Sequence, residues 1–64
     1  MGKDAELLYK KLEEAGGFLP FHDKTSPEII KREFQMSKAA FKRAVGRLLK
    51  EKKIKQADGG IQKL

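Results

Sequence analysis

Two helix start signals lie close together in the middle of the chain, and this spacing constrains the fold more than any other sequence feature. Ser26 suits an N-cap, because Pro27 after it is favoured at a first helical position. Ser37 is a second N-cap candidate. The helix between them must be short, and we expect it to end around Phe34, with residues 35–36 as the turn. The sequence therefore predicts a short helix, a tight turn and a further helix.

Apolar periodicity predicts three helices and the face that each one buries. The first is expected from Asp4, as N-cap, to Ala15, with Gly16–Gly17 ending it, and the third from Ser37 to about Lys52. The expected buried residues are Ala5, Leu8, Leu12 and Ala15 in the first helix, Ile29 or Ile30 with Phe34 in the second, and Phe41, Ala44, Val45, Leu48 and Leu49 in the third.

The remaining segments predict a small sheet. Residues 18–21 form a short apolar run in which Pro20 cannot donate to a ladder, so we expect a brief edge strand. Residues 54–57 and 60–64 flank Asp58-Gly59, a dipeptide that favours a type I′ turn and hence a hairpin. Because an isolated hairpin is only marginally stable, the first strand is expected to join it in a three-stranded sheet.

The order helix, strand, helix, helix, hairpin is that of an α+β winged helix over residues 1–64, with the third helix as recognition element and the hairpin as wing. A chain of 64 residues is near the lower limit for a single hydrophobic core. We therefore expect Phe18 and Phe21 in that core, in preference to a role in stacking on bases.

The residue inventory argues against catalysis, metal binding and membrane insertion. The chain has no cysteine and one histidine, and His22-Asp23 lacks a nucleophile or cofactor motif beside it, so a role in fixing the loop is expected. No apolar run reaches the roughly 20 residues of a membrane span. We expect a cytoplasmic protein that is not an enzyme and needs no cofactor.

The charge distribution favours a polyanionic partner. The net charge is +6 and the pI is about 9.8. Residues 1–33 hold six basic and seven acidic residues, whereas residues 34–64 hold nine basic and two acidic residues. The C-terminal half therefore carries all of the positive excess.

The outward face of the third helix is the main candidate surface, and it is formed by Ala39, Lys42, Arg43, Gly46, Arg47 and Lys50. Small residues there would let a phosphate or a groove wall approach, although a merely solvated basic face has the same pattern. Ser37 and Lys38 would hold a phosphate at the helix N-terminus, unless Ser37 only caps its helix. Gly46 is explained equally well by ligand approach and by packing against the first helix.

Lysines also surround the expected wing, at Lys52, Lys53, Lys55 and Lys63. They would contact a neighbouring backbone, or they would protect a sheet edge against pairing. The full set of candidate nucleic-acid-binding residues is Ser37, Lys38, Lys42, Arg43, Arg47, Lys50, Lys53 and Lys55.

The segment Leu19-Pro20-Phe21-His22-Asp23-Lys24, with Met36-Ser37-Lys38 and Phe41-Lys42 after it, resembles the C-terminal domain of the conserved virulence factor B (YitL-like) family of bacterial RNA-binding proteins. The resemblance extends from Gly16 to Ile54, with departures at Ile29, where an acidic residue is usual, and at Leu49, where Tyr is usual. It implies an excised C-terminal winged helix, preceded in the parent chain by OB-fold RNA-binding domains.

Two hypotheses follow. In the first, a monomeric domain binds RNA, or less favourably DNA, through the basic third helix and the wing, with little sequence specificity. In the second, the domain is a protein-interaction or structural docking module within a larger RNA-binding protein.

Overall fold

A computed structural model describes residues 3–22 and 24–64 as three helices and a three-stranded antiparallel sheet. The elements in chain order are α1 (Lys3–Glu14), β1 (Phe18–Leu19), α2 (Pro27–Phe34), α3 (Lys38–Lys50), β2 (Ile54–Ala57) and β3 (Gly60–Lys63). The predicted α+β winged-helix architecture is confirmed, with α2, a tight turn and α3 followed by the hairpin.

The sheet has the order β1-β3-β2, so the short strand after α1 does join the hairpin, as predicted. Phe18 pairs with Gln62, and Gln62 pairs with Lys55, which places these three residues in one row across the sheet. The neighbouring pair Leu19–Ile61 lies on the core side, where both residues are buried. Gly60 permits β1 to approach β3 this closely, because a Cβ at residue 60 would overlap the backbone carbonyl of Leu19.

The core lies between the helices and one face of the sheet. Phe34 is at its centre, with ring centroids 5.3 Å from Phe21 in an edge-to-face contact and 5.4 Å from Phe41. Among the described residues no polar or charged residue is buried. The buried hydrophobic residues are Ala5, Leu8, Leu12, Leu19, Ile30, Phe34, Met36, Ala40, Phe41, Ala44, Leu48, Ile54 and Ile61.

The helix boundaries confirm two predicted caps and correct a third. The Oγ of Ser26 accepts from the N–H of Glu28 at 3.3 Å, and the Oγ of Ser37 accepts from the N–H of Ala40 at 3.1 Å. The expectation that Asp4 is an N-cap is wrong, since α1 begins at Lys3 and Asp4 lies within its first turn. An acidic residue there is stabilised by the helix dipole even without a capping role.

α1 and α3 end in the same backbone arrangement: a residue in the left-handed region is followed by an N–H that donates to a carbonyl in the last turn of the helix. Gly16 lies in the left-handed region at φ 83°, and the N–H of Gly17 donates to the carbonyl of Leu12 at 2.8 Å. At the end of α3 the left-handed residue is Lys52, at φ 60°, and the N–H of Lys53 donates to the carbonyl of Leu48 at 3.0 Å. This arrangement explains why α3 ends at Lys50 and not near residue 52.

Three further expectations about burial need correction. Ala15 lies outside α1 and is exposed, because the Gly16 turn has already begun. Val45 and Leu49 are only half-buried, so the inward stripe of α3 is narrower than predicted. Met36, expected only as part of a turn, is buried in the core. The final strand ends at Lys63, and Leu64 is exposed.

Candidate nucleic-acid interface

The exposed side of α3 is uniformly basic. The helix has five basic residues and no acidic residue: Lys38, Lys42, Arg43, Arg47 and Lys50. All are exposed except Lys38, which is half-buried, and the small residues Ala39 and Gly46 are exposed between them. The predicted outward arc is therefore where the sequence placed it, because Phe41, Ala44 and Leu48 hold the opposite face in the core.

Arg43, Arg47 and Lys50 lie together along an open groove of about 890 Å³ between α3 and α1. We call this the α1 groove. Its lining residues are Lys3, Asp4 and Ala5 of α1, Ala40, Arg43, Ala44, Gly46, Arg47 and Lys50 of α3, and Glu51. The spacing of 43, 47 and 50 follows the helical repeat, so the three cations lie along one side of α3.

Glu51 offsets part of the charge of the α1 groove. The Nε of Arg47 donates to the Oε2 of Glu51 at 3.3 Å, and the Nζ of Lys53 lies 3.8 Å from the Oε1 of Glu51. Within residues 3–22 and 24–64, Arg43 and Lys50 form no ion pair. Arg43 and Lys50 are therefore the α3 cations of this groove that form no ion pair within the described residues.

A second groove, of about 290 Å³, lies on the other side of α3 between that helix and the hairpin. We call this the wing groove. It is lined by Phe41, Lys42, Val45, Gly46 and Leu49 of α3, by His22, and by residues 56–61 of the hairpin. Its α3 wall is mainly apolar, since the half-buried Val45 and Leu49 face it, and Lys42 is the one basic α3 residue among its described lining.

Gly46 lines both grooves, and a Cβ built on it would meet nothing within 4 Å. Packing against α1 therefore does not account for this glycine, and that interpretation is wrong. The absent side chain leaves the ridge between the two grooves low at this point. The approach of a ligand at Gly46 stays a prediction.

The N-terminus of α3 shows how Ser37 is used. Its hydroxyl accepts from the N–H of Ala40, and its carbonyl accepts from the N–H of Phe41 at 2.9 Å. The capping interpretation of Ser37 is therefore confirmed. A phosphate contact at Ser37 and Lys38 stays a prediction.

The wing lysines lie outside the α1 groove and the wing groove, although Lys53 adjoins Arg47 in a third groove between α3 and α1. Lys53 and Lys63 lie over the ring of Tyr9 on α1, with their Nζ atoms 5.6 and 5.7 Å from its centroid. Lys63 is also 3.3 Å from the Oε2 of Glu13. Lys55 is exposed in the sheet row with Gln62 and Phe18. Of the eight candidate residues, four on α3 (Lys42, Arg43, Arg47 and Lys50) line the two grooves. Lys53 lies beside Arg47 in the third groove, and Lys55 lies on the sheet.

Sequence reasoning missed several residues of these grooves, among them Glu51, Lys3 and Gln56. Lys3 lines the α1 groove and Gln56 lines the wing groove. Neither had a local signal, because each reaches its groove only through the packing of another element against α3. A weak signal for Lys3 is its position at the start of a helix that has to pack against α3.

The expectation of core burial is confirmed for Phe21 and wrong for Phe18. Phe21 packs against the core through Phe34, whereas Phe18 is 40% exposed. Strand alternation gives the reason: Leu19 takes the core side of β1, so Phe18 must face outward.

The loop role of His22 is confirmed by three contacts. Its Nδ1 accepts from the N–H of Lys24 at 3.1 Å, its N–H donates to the Oγ1 of Thr25 at 2.9 Å, and its carbonyl accepts from the N–H of Thr25 at 3.0 Å. Asp23 lies outside the described residues. In the described part of the chain, no three His, Asp or Glu residues are grouped as metal ligands would be, and no helix is long and apolar enough to cross a membrane.

Comparison with known families decides the classification. The sequence profile of the CvfB-like winged helix domain matches residues 6–62, which is most of the chain. The chain belongs to this family. The resemblance stated from residues 19–24 and 36–42 is therefore confirmed, and the CvfB-like winged helix is a domain type that is not catalytic.

The relatives that this chain resembles are longer proteins. Conserved virulence factor B of Staphylococcus aureus strains USA300 and NCTC 8325 is 50% identical over 58 residues, which covers 91% of this chain and 19% of that protein. A crystal structure of a multidomain protein with nucleic acid binding domains from Streptococcus pneumoniae TIGR4 superposes with a TM-score of 0.92 at 44% identity, covering 97% of this chain and 22% of that one. The chain thus spans about a fifth of the length of these relatives.

Proposed function

We propose that this CvfB-like winged helix binds nucleic acid, RNA in preference to DNA, through the basic face of α3. The observation that carries the proposal is the absence of any acidic residue on a helix with five basic ones, four of which line two adjoining grooves. The proposed contact residues are Ser37, Lys38, Lys42, Arg43, Arg47 and Lys50 on α3, with Lys53 and Lys55 as outlying contributors.

The proposed mechanism is electrostatic. Basic residues that neutralise phosphates release condensed counterions, which gives affinity with little sequence information. Arg43 and Lys50 contribute most in this scheme, because Glu51 already holds Arg47. The pneumococcal neighbour is described as containing nucleic acid binding domains, which supports the class of ligand.

A preference for RNA constrains how the ligand is presented. The major groove of A-form RNA is too deep and narrow for a helix such as α3 to enter. The proposed RNA ligand is therefore single-stranded or a loop, lying across α3 with its phosphates over the basic residues. A DNA duplex would instead receive α3 in its wider major groove.

A salt titration tests this proposal. Binding of a single-stranded RNA octamer and of a DNA duplex is measured by fluorescence anisotropy at several salt concentrations. With about five phosphates neutralised, the slope of log K against log salt is expected to be about −3.5 for the single strand and about −4.5 for the duplex. A slope near zero for both ligands would refute the electrostatic mechanism, and tighter duplex binding would reverse the ranking of RNA over DNA.

A second candidate is a docking role within a longer protein. The exposed Phe18 on the outer sheet face favours it, since a large apolar side chain is available there for a neighbouring domain. In both candidates we place residues 1–64 as a cytoplasmic, monomeric C-terminal winged helix after OB-fold RNA-binding domains. In the docking candidate, Phe18→Ser in the longer chain would weaken domain packing and leave RNA binding by the isolated domain unchanged.

A further inference from the structure

The wing groove has features that phosphate binding does not explain. Val45 and Leu49 are half-buried and form an apolar wall, while Phe41 closes the base of the groove from the core. A phosphate gains nothing from apolar side chains. A volume of about 290 Å³ is near the lower end of the roughly 300–1,000 Å³ that small-molecule pockets occupy. The groove therefore suits a single small, flat and largely apolar group.

The charges around the wing groove are asymmetric. Lys42 lies on the α3 side, next to the cations of the α1 groove, whereas Asp58 lies on the hairpin side. A carboxylate repels a phosphate but accepts hydrogen bonds from amino and imino groups. A ligand that matches both sides has an anionic backbone towards α3 and hydrogen-bond donors towards the hairpin.

Gly46 connects the two grooves. Since it lines both and a Cβ there would meet nothing within 4 Å, a chain lying in the α1 groove can pass over α3 at this point. A single nucleotide strand has the required parts: its phosphates suit Arg43 and Lys50, and an unstacked base suits the wing groove.

We propose that the wing groove holds one unstacked nucleobase of a single strand, against Val45 and Leu49, with Asp58 accepting hydrogen bonds from the edge of the base. The proposal rests on the proposed function, and it adds a base-binding site to the phosphate contacts. Guanine is the base that suits Asp58 best, because its N1–H and 2-amino group are adjacent donors for the two carboxylate oxygens. Uracil has a single N–H between two carbonyls, so it binds less well.

The test uses ribose-phosphate octamers that are abasic except at one central position, which is guanine, uracil or also abasic. All three carry the same charge, so differences in affinity report only on the base. We expect the guanine octamer to bind about tenfold more tightly than the abasic one, and also more tightly than the uracil octamer. Affinities are measured by anisotropy at low salt.

Asp58→Asn is the matched variant, because it keeps the size of the side chain and leaves Gly59, whose φ of 76° the turn uses, unchanged, so the hairpin is retained. Removing the negative charge strengthens binding of every octamer, so the readout is the ratio of guanine to uracil affinity. We expect this ratio to fall to about one. An unchanged ratio would overturn the role of Asp58.

The remaining outcomes separate the two proposals. Equal, salt-dependent binding of the guanine and abasic octamers would overturn the base site and leave the proposed function intact. Failure of a fully base-bearing RNA to bind at low salt would overturn both, and the apolar wing groove would then be a surface for a protein partner.

Discussion

The two grooves beside α3 differ in chemistry although they share one helix. The α1 groove is lined by Arg43, Arg47 and Lys50, and the wing groove is lined by Val45 and Leu49 with a single α3 cation, Lys42. The helical repeat produces this division, because residues spaced by three and four share one side of a helix. A single short helix can thus present a charged surface and an apolar surface that adjoin along its length.

The difference between the two grooves shows how a small basic domain can have a second role besides the attraction of polyanions. In the proposed function, charge in the α1 groove would give affinity that any phosphate chain can use. Discrimination requires a place where a base, not its phosphate, is contacted, and the wing groove is the place that has the right chemistry. The two contributions are separable by substitutions on opposite sides of α3.

The largest expected effect comes from reversing the charge of the α1 groove. Arg43→Glu with Lys50→Glu replaces the two α3 cations of this groove that Glu51 does not hold, and both side chains are exposed, so the fold is retained. We expect the affinity for single-stranded RNA to fall about a hundredfold and the salt slope to become shallower by about 0.7 for each lost phosphate contact. Anisotropy at several salt concentrations gives both quantities.

The matched control is Lys11→Glu with Lys31→Glu. It changes the net charge by the same amount at exposed positions that line neither groove. If this control weakened binding as much as the α3 double variant, the overall charge of the domain would explain the affinity, and the distinction between the grooves would be unnecessary.

A smaller effect is expected from Gly46→Leu, which raises the ridge between the grooves. Leu at an exposed helix position is favoured over Gly by about 0.8 kcal/mol, so the variant is expected to be more stable than the original chain. Binding of single-stranded RNA is expected to weaken about tenfold, the size of one lost base contact. Thermal unfolding and anisotropy report the two effects separately.

Gly46→Ala is the control for Gly46→Leu. It gives a similar gain in helix propensity, of about 1 kcal/mol, but adds only a methyl group. We expect its RNA affinity to stay within about twofold of the original. Equal affinity in the Ala and Leu variants would show that no strand crosses α3 at this residue.

Most of the helix and hairpin positions follow from local sequence, and the predictions that were wrong have physical reasons. Ser26-Pro27 and Ser37 act through bonds to nearby backbone, so they located α2 and α3 correctly. Asp58-Gly59 located the hairpin, but the predicted type I′ turn is wrong, because that turn needs a positive φ at both residues and only Gly59 has one. The end of α3 was missed because Lys52 adopts a left-handed conformation that favours glycine, and its sequence carries no sign of this.

The candidate site was harder to predict than the fold. Periodicity identified the outward residues of α3, but it could not show that Lys53 and Lys63 turn towards Tyr9, since that contact joins the hairpin to α1. The offset of Arg47 by Glu51 is a side-chain geometry between exposed residues, which a pattern of charges alone does not specify. Both grooves depend on how α1 and the hairpin pack against α3.

The smallest effect on RNA affinity is expected from a substitution at Glu51, and it tests how Glu51 limits binding in the α1 groove. Glu51→Gln removes the carboxylate that holds Arg47 at 3.3 Å, so Arg47 gains freedom to contact phosphate. Exposed ion pairs of this kind contribute about 0.5 kcal/mol, which corresponds to about a twofold gain in RNA affinity. Stability is expected to change little, because Glu51 caps the C-terminus of α3, where a negative charge is disfavoured by the helix dipole.

Glu14→Gln is the control for Glu51→Gln, since it makes the same charge change at an exposed residue that lines neither groove. A gain in affinity at Glu51 alone, together with a steeper salt slope, would show that a cation held by Glu51, Arg47 or Lys53, is a restrained phosphate contact. An equal gain at both positions would mean that the field of the whole domain, and not the geometry of the α1 groove, sets the affinity. The proposed difference in function between the two sides of α3 would then depend on the wing groove alone.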